Sequence, residues 1–134
     1  MPTRERVKAL ITLVEKGLYV DAIQRFYTKD ATMQENMQPP RRGMEALIAG
    51  EEKFLAGLKE VHALPVQEFL VEGDRVIINW VFEVVAIDGR KYRMDELAWQ
   101  RWSGDRIVEE RFYYDPAQRN FPERRKSPRT SFKK

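Results

Sequence analysis

The chain has 134 residues, of which 43% are hydrophobic and 34% charged, and its formal net charge is +3. That composition belongs to one globular domain able to build its own core, neither a disordered chain nor a membrane-embedded one. With no cysteine and a single histidine, His62, it excludes disulfides, thiol catalysis, iron–sulfur clusters and cysteine or two-histidine metal sites. The seven glycines form no phosphate-cradling loop, so neither a nucleotide nor any other cofactor is expected. Met1 to Arg6 leads into a charged amphipathic stretch without an apolar signal core, so the expected location is the cytoplasm. The longest apolar run, Val76 to Phe82, is interrupted by Asn79 and too short to span a bilayer, so no membrane association is expected.

In chain order, Val7, Leu10, Ile11, Val14 and Leu18 fall on one helical stripe. Gly17 interrupts it, and Ala22, Ile23, Phe26 and Tyr27 predict a second, shorter helix. Residues 31–43 hold Gln34, Asn36, Gln38 and Pro39-Pro40, which predicts a shaped loop whose start could be a short strand. A third helix is predicted from about Met44 to Lys59, with Met44, Leu47, Ile48, Leu55 and Leu58 on its apolar face. From Val61 the period changes to two. Val66–Val71, Val76–Ala86, Lys91–Trp102 and Arg106–Tyr114 then read as strands. They are separated by turns at Glu72-Gly73-Asp74, Asp88-Gly89 and Ser103-Gly104-Asp105. Helices first and hairpin-linked strands afterwards predict an α+β domain, with N-terminal helices packed on the concave side of a curved antiparallel sheet. In the third long strand Leu97 and Trp99 share one face, and Met94, Glu96, Ala98, Gln100 and Trp102 the other. Neither face is polar, which argues for one face on the interior and one covered by a second subunit.

Composition shifts at Asp115-Pro116, so residues 1–115 are expected to form the domain and 116–134 a mobile basic tail. That tail carries seven basic residues against Glu123 alone, and leaves the body with 17 basic and 20 acidic residues. The positive charge therefore belongs to the tail, and nucleic-acid binding is not expected of the body.

The order of elements and two segments resemble the nuclear transport factor 2-like superfamily of cone-shaped domains. It includes SnoaL-like polyketide cyclases, ketosteroid isomerases and limonene-epoxide hydrolases. Ala31 to Ala46, with Asn36-Met37 and Pro39-Pro40 leading to Gly43, is similar to the pocket-rim loop of the hydrolases. Gly104 to Asp115, a Gly-Asp-Arg-Ile turn entering an aromatic-rich strand that ends in aspartate, is similar to the closing hairpin of SnoaL-like proteins. The resemblance covers residues 5–115 and implies a homodimer with a hollow interior. The hydrolases' Asp-Arg-Asp trio would fall on Asn79, Val81 and Phe112, none of which ionises. Of the isomerase set, Glu35 falls at or beside the base, but the aspartate position is Ala98 and the tyrosine position Leu10.

By alternation Glu96 lies on the inward face with Met94 and Ala98, where burial would raise its pKa into the range of acid–base work. If the register slips by one, Asp95 points inward instead. Glu35 is the second catalytic candidate, with Gln34 on the opposite face of the same segment. Asn36 is either a donor to a substrate oxygen or an ordinary turn residue, and Asn79, mid-strand, needs a partner if buried. Trp80, Phe82, Trp102, Phe112 and Tyr114 would wall an apolar pocket or simply pack in the core or a dimer interface. His62 suits a structural or exposed position better than catalysis, and Glu109-Glu110 and Asp95-Glu96, as strand neighbours, cannot act as joint couples. The expected function is a SnoaL-like protein holding a small apolar, oxygen-bearing molecule. It would be a cofactor-free isomerase, lyase or hydrolase using Glu96 or Glu35, or else a non-catalytic ligand-binding or interaction module.

Overall fold

The structure, a computed structural model, describes residues 1–120; residues 121–134, most of the basic tail, lie outside the described residues. Helix α1 (Arg4–Glu15) starts at Thr3, whose hydroxyl accepts the backbone N–H of Arg6 at 3.0 Å. It buries the predicted stripe of Val7, Leu10, Ile11 and Val14. Helix α2 (Tyr19–Phe26) buries Ala22, Ile23 and Phe26 and runs directly into strand β1 (Tyr27–Glu35). Strand β2 (Arg41–Arg42) folds back on β1, and helix α3 (Met44–Ala56) follows Gly43. The remaining strands are β3 (Leu58–Ala63), β4 (Phe69–Glu72), β5 (Arg75–Ala86), β6 (Lys91–Ser103) and β7 (Arg106–Tyr113).

One seven-stranded sheet runs in the order β2-β1-β7-β6-β5-β3, with β4 paired to the other half of β5. The three hairpin turns stand where glycine was expected to allow them, at Gly73, Gly89 and Gly104, all with positive φ. Helices and sheet share one core in which Leu10, Leu47, Val76, Ile78, Trp102 and Ile107 are fully enclosed. This is the α+β cone read from the sequence, with three differences. The strand that opens the segment at Ala31 begins earlier than expected, at Tyr27, which was read as helix, and runs nine residues to Glu35. That strand pairs parallel to β7, so the sheet is mixed rather than antiparallel throughout. Helix α3 stops at Ala56 and Lys59 lies in a strand, while the strand expected from Val66 starts at Phe69. The first two differences share a cause: β1 is held by a partner strand far along the sequence (Tyr27 opposite Ile107, Glu35 opposite Phe112), which local propensity cannot register.

On the outer face Leu97 is 47% and Leu70 67% exposed. Pro116–Asn120 form a 3-10 turn lying on β6, where the Gln118 side chain accepts the Asp95 N–H at 2.8 Å. The first residues past the composition break thus complete the domain's wall. Among the described residues no helix is long and apolar enough to cross a membrane.

Gly43 turns the chain from β2 into α3 at φ 97°, ψ 140°, a conformation side chains with a Cβ rarely adopt. A Cβ there would meet nothing closer than the Lys29 carbonyl at 4.0 Å, so the cost of adding one is backbone strain alone. Gly43→Ala is expected to lose about 1–3 kcal/mol in urea denaturation; a loss below about 0.5 kcal/mol would show that the turn relaxes freely.

Candidate functional site: an acid-bearing cavity

The curl of β5, β6 and β7 leaves a cavity of about 260 Å³ between the sheet and the helices. Its walls are mainly apolar, among them Leu10, Ile23, Trp80, Phe82, Met94 and Phe112. Into them reach four carboxyl groups, Glu35, Glu51, Glu96 and Glu110, and two guanidinium groups, Arg41 and Arg119.

Glu96 faces inward in the register read from the sequence, flanked by Asp95 and Leu97 on the outer face, and pairs with Trp80 across the β5–β6 ladder. Burial pushes its pKa up to about 8, and the neighbouring Glu35, Glu110 and Glu51 push in the same direction, opposed by Arg119. Its backbone carbonyl is bound by Asn79. Among the described residues its carboxyl group has no hydrogen-bond partner, so a protonated carboxyl looks into the cavity with its donor unspent.

Glu110 is the opposite case. It is 2% exposed, yet the Tyr27 hydroxyl donates to one of its oxygens and Gln100 Nε2 donates to the other at 2.7 Å. The Gln100 oxygen in turn accepts the Trp102 indole N–H at 2.9 Å. Burial raises Glu110 to about 7 against the lowering effect of these two donors, and burial beside it holds the Tyr27 phenol well above its ordinary value.

Glu35 ends β1 and accepts the Tyr114 hydroxyl at 2.5 Å, with Arg41 at 3.8 Å. Burial and then the Glu35 hydrogen bond raise the Tyr114 phenol, so it stays a donor. Glu51 points in from α3, and burial raises its pKa.

Of the sequence candidates, the structure brings together Glu96, Glu35, Met94, Trp80, Phe112 and Tyr114 in the cavity wall. Asn36, Asn79 and Ala98 do not join them. Asn36 adopts φ 51°, and its side-chain oxygen accepts the Tyr114 N–H at 3.0 Å, tying the ends of β1 and β7 together. Asn79 lies on the outer face and donates to Asp95 Oδ1 at 2.8 Å and to the Glu96 carbonyl at 3.1 Å. Both amides therefore hold backbone beside the cavity, and neither lines it. Ala98 is enclosed in the core next to Glu96, and Trp102 likewise packs in the core rather than on the wall. His62 is exposed on β3 beside Glu60 at 3.3 Å, as its sequence position suggested.

Sequence reasoning missed Glu110, Glu51, Tyr27, Arg41 and Arg119. Glu51 did leave a signal, since it stands on the same stripe as Met44, Leu47, Ile48 and Leu55. Among the described residues no cluster of three His, Cys, Asp or Glu could hold a metal ion.

A curled sheet closed by three helices around an interior bearing carboxyl groups defines the nuclear transport factor 2-like class of α+β domains. Within that class the SnoaL-like domain family matches residues 7–110, and the chain belongs to that family. A protein from Mesorhizobium loti provisionally named a SnoaL-like polyketide cyclase, and also carbohydrate phosphatase, is 28% identical, with a TM-score of 0.72 over 85% of this chain and 100% of that one. A protein with a ketosteroid isomerase-like fold from Catenulispora acidiphila, solved in complex with trimethylamine, is 21% identical (TM-score 0.73, 90% and 95% covered). A provisionally named polyketide cyclase from Pseudomonas putida, 15% identical, superposes with a TM-score of 0.76 over 88% of this chain and 95% of that one. No curated protein matches the chain.

The raised carboxyl groups make a prediction about stability. Glu96 and Glu110 have folded-state pKa values of about 8 and about 7, above the 4.5 of a free glutamate, so between those values the folded chain holds more protons than the unfolded one. The stability these groups contribute is then fully present below about pH 4.5 and is lost as pH rises through about 8, the opposite of a salt-bridged carboxylate. Full ionisation of Glu96 costs on the order of 4–5 kcal/mol. Urea unfolding at pH 5.5 and pH 9 should therefore show wild type losing stability and Glu96→Gln losing clearly less; equal losses would mean that Glu96 is hydrated.

Proposed function

We propose that this SnoaL-like protein is a cofactor-free proton-transfer enzyme, acting as an isomerase, lyase or hydrolase on a small, largely apolar molecule that carries a ketone-type oxygen. The observation that carries this reading is Glu96, a half-buried carboxyl with its pKa raised to about 8 and no hydrogen-bond partner among the described residues, facing a mostly apolar cavity. Two carboxyl groups in different environments suit opposite tasks. Glu96 donates its proton to the substrate carbonyl oxygen as that oxygen gains negative charge. Glu35, oriented by the Tyr114 hydroxyl and Arg41, takes the proton from the adjacent carbon. The C–H bond breaks, its electron pair forms the C=C bond of an enol, and the two protons have moved from carbon to Glu35 and from Glu96 to oxygen. Return of a proton to a different carbon would give an isomer. Expulsion of a neighbouring leaving group would give elimination.

The apolar walls exclude water, which both strengthens these interactions and protects the enol. Relatives from Mesorhizobium loti and Pseudomonas putida named for polyketide cyclases support a carbon skeleton rich in such oxygens. The reading keeps a homodimer formed through the outer sheet face, where Leu70 and Leu97 are exposed and Trp99 half-buried. The other reading, a ligand-binding module without turnover, rests on the two amides lying outside the cavity.

The test is hydrogen–deuterium exchange at the α-carbon of 2-tetralone, followed by NMR in D₂O. Wild type should accelerate it, and Glu96→Gln and Glu35→Gln should each slow the catalysed rate roughly 10²-fold or more. Because Glu96 acts in its protonated form, the wild-type rate should fall as pH rises past about 8. Undiminished exchange in both variants would overturn the mechanism, and 2-tetralone binding without exchange in wild type would favour the binding module.

A further inference from the structure

Two guanidinium groups stand in the cavity wall: Arg41, which the proton-transfer scheme uses only to orient Glu35, and Arg119, which it does not use. Arg41 reaches in from β2 and lies across α3 at Gly50, where an added Cβ would come within 3.1 Å of its Nε. Its Nε is buried without a hydrogen-bond partner, and its ion pair with Glu35, at 3.8 Å, is beyond hydrogen-bond reach. Its Nη2, the atom of that ion pair, otherwise meets the Met33 sulfur, at 3.8 Å. A guanidinium offers five donors in a planar fork, so most of Arg41's capacity is unspent.

Arg119 comes from the 3-10 turn that follows β7. Its carbonyl accepts Arg90 Nη1 at 2.8 Å, and Gln118 Nε2 donates to the Asp95 carbonyl at 3.2 Å, which fixes the turn against β6. Its guanidinium lies 5.8 Å from the centre of the Tyr114 ring and makes no ion pair among the described residues. Both arginines therefore border the Glu35–Tyr114 pair. A third donor lines the same cavity: the Tyr19 hydroxyl is buried and unpartnered. Among the described residues Tyr19 and Arg41 hold the only buried side-chain polar atoms without a partner, and both belong to this wall.

The carboxyl groups opposite do not claim these donors. Glu110 is saturated by Tyr27 and Gln100, and Glu35 is bound by Tyr114. Burial raises the pKa of Glu51, Glu96 and Glu110, which reduces the negative charge facing the two guanidinium groups. Unspent donors carrying positive charge, set in an apolar wall, fit an anionic oxygen attached to an apolar body. A cavity of 150 Å³ admits benzene, so the roughly 260 Å³ here has room for a bicyclic ring.

We propose that the ligand of this cavity is a carboxylic acid, its ring or chain lying against Trp80, Phe82 and Phe112 and its carboxylate held by Arg41, with Arg119 and the Tyr19 hydroxyl beside it. This rests on the reading of the cavity as a ligand site and narrows the substrate class to oxyacids.

The experiment compares 2-naphthoate with 2-naphthalenemethanol, the same ring with and without the charge, by isothermal titration calorimetry on the full chain at pH 7. Wild type should bind the acid at least tenfold more tightly than the alcohol. Arg41→Gln and Arg119→Gln, checked for folding by circular dichroism, should each weaken the acid at least fivefold and leave the alcohol within twofold. Arg41→Lys, which keeps the charge, should retain a preference for the acid. If the alcohol binds as tightly as the acid, or both variants weaken the two probes alike, the carboxylate assignment falls while the cavity remains a ligand site. If neither probe binds wild type and 2-tetralone is also ignored, the ligand-site reading falls with it.

Discussion

Denial of water to carboxyl groups is the constraint on which this molecule turns. Strands β5, β6 and β7 meet the helices in a filled core over part of their length, and their curl leaves an apolar-walled space beside it. A carboxylate placed there loses most of its hydration, and the protein returns only part of it. The group answers by holding its proton. The same desolvation keeps the Tyr27 and Tyr114 phenols as donors, and it reduces the negative charge with which the arginines would otherwise pair. Glu35, Glu110 and Glu51 each raise Glu96 further, so Glu96 would ionise against the charge around it as well as against its burial.

A single backbone irregularity decides which acid of β7 faces the interior. In the β6–β7 ladder Trp102 faces Ile107 and Arg101 faces Glu109, so β7 spends an extra residue, Val108, at this point. Beyond the bulge the inward positions are Glu110 and Phe112, while Glu109 turns outward to Arg101 at 3.1 Å. The β1–β7 ladder shifts at the same level, between Tyr27 and Thr32, which sets the Tyr27 hydroxyl against Glu110. A bulge of this kind re-aims a side chain at the cost of one unpaired position. Here it delivers a carboxyl to the interior together with the phenol that satisfies it.

This explains how the sequence and the site part company. Where periodicity is unbroken the reading succeeds: the α1 stripe, the three glycine turns, and the inward face of β6 with Met94, Glu96 and Ala98 all follow from local pattern and chain order. In β7, however, counting by two from Ile107 puts Glu109 inside while counting back from Phe112 puts Glu110 there, and nothing in Val108 announces the extra residue that decides between them. Strand β1 was legible only as an ambiguous segment, because its hydrogen bonds come from β7, far along the chain. Asn36 and Asn79 looked like ligands because polar residues near apolar strands require partners. That requirement is met by the Tyr114 amide and by Asp95, so the inference of a partner held and the inference of a substrate did not. Arg41 sits on a two-residue strand, Arg119 on a single 3-10 turn, and no period can be read from elements so short.

The contrast between Glu96 and Glu110 separates chemistry from architecture within one wall. Both are inward-facing glutamates on neighbouring strands, Glu110 fully and Glu96 partly buried, and desolvation raises the pKa of both. Glu110 has its two oxygens occupied by Tyr27 and Gln100, and a chain of donors continues to Trp102, so altering its protonation disturbs β1, β6 and β7 together. Such a group fixes the shape of the cavity and is poorly placed to exchange a proton, since each exchange must break a satisfied contact. Glu96 makes no such contact among the described residues, and its backbone is pinned by Asn79 from the opposite face. A carboxyl whose position is set by its strand while its oxygens are left free can gain or lose a proton without unfolding its surroundings. Burial alone would nominate both residues; hydrogen-bond accounting nominates Glu96.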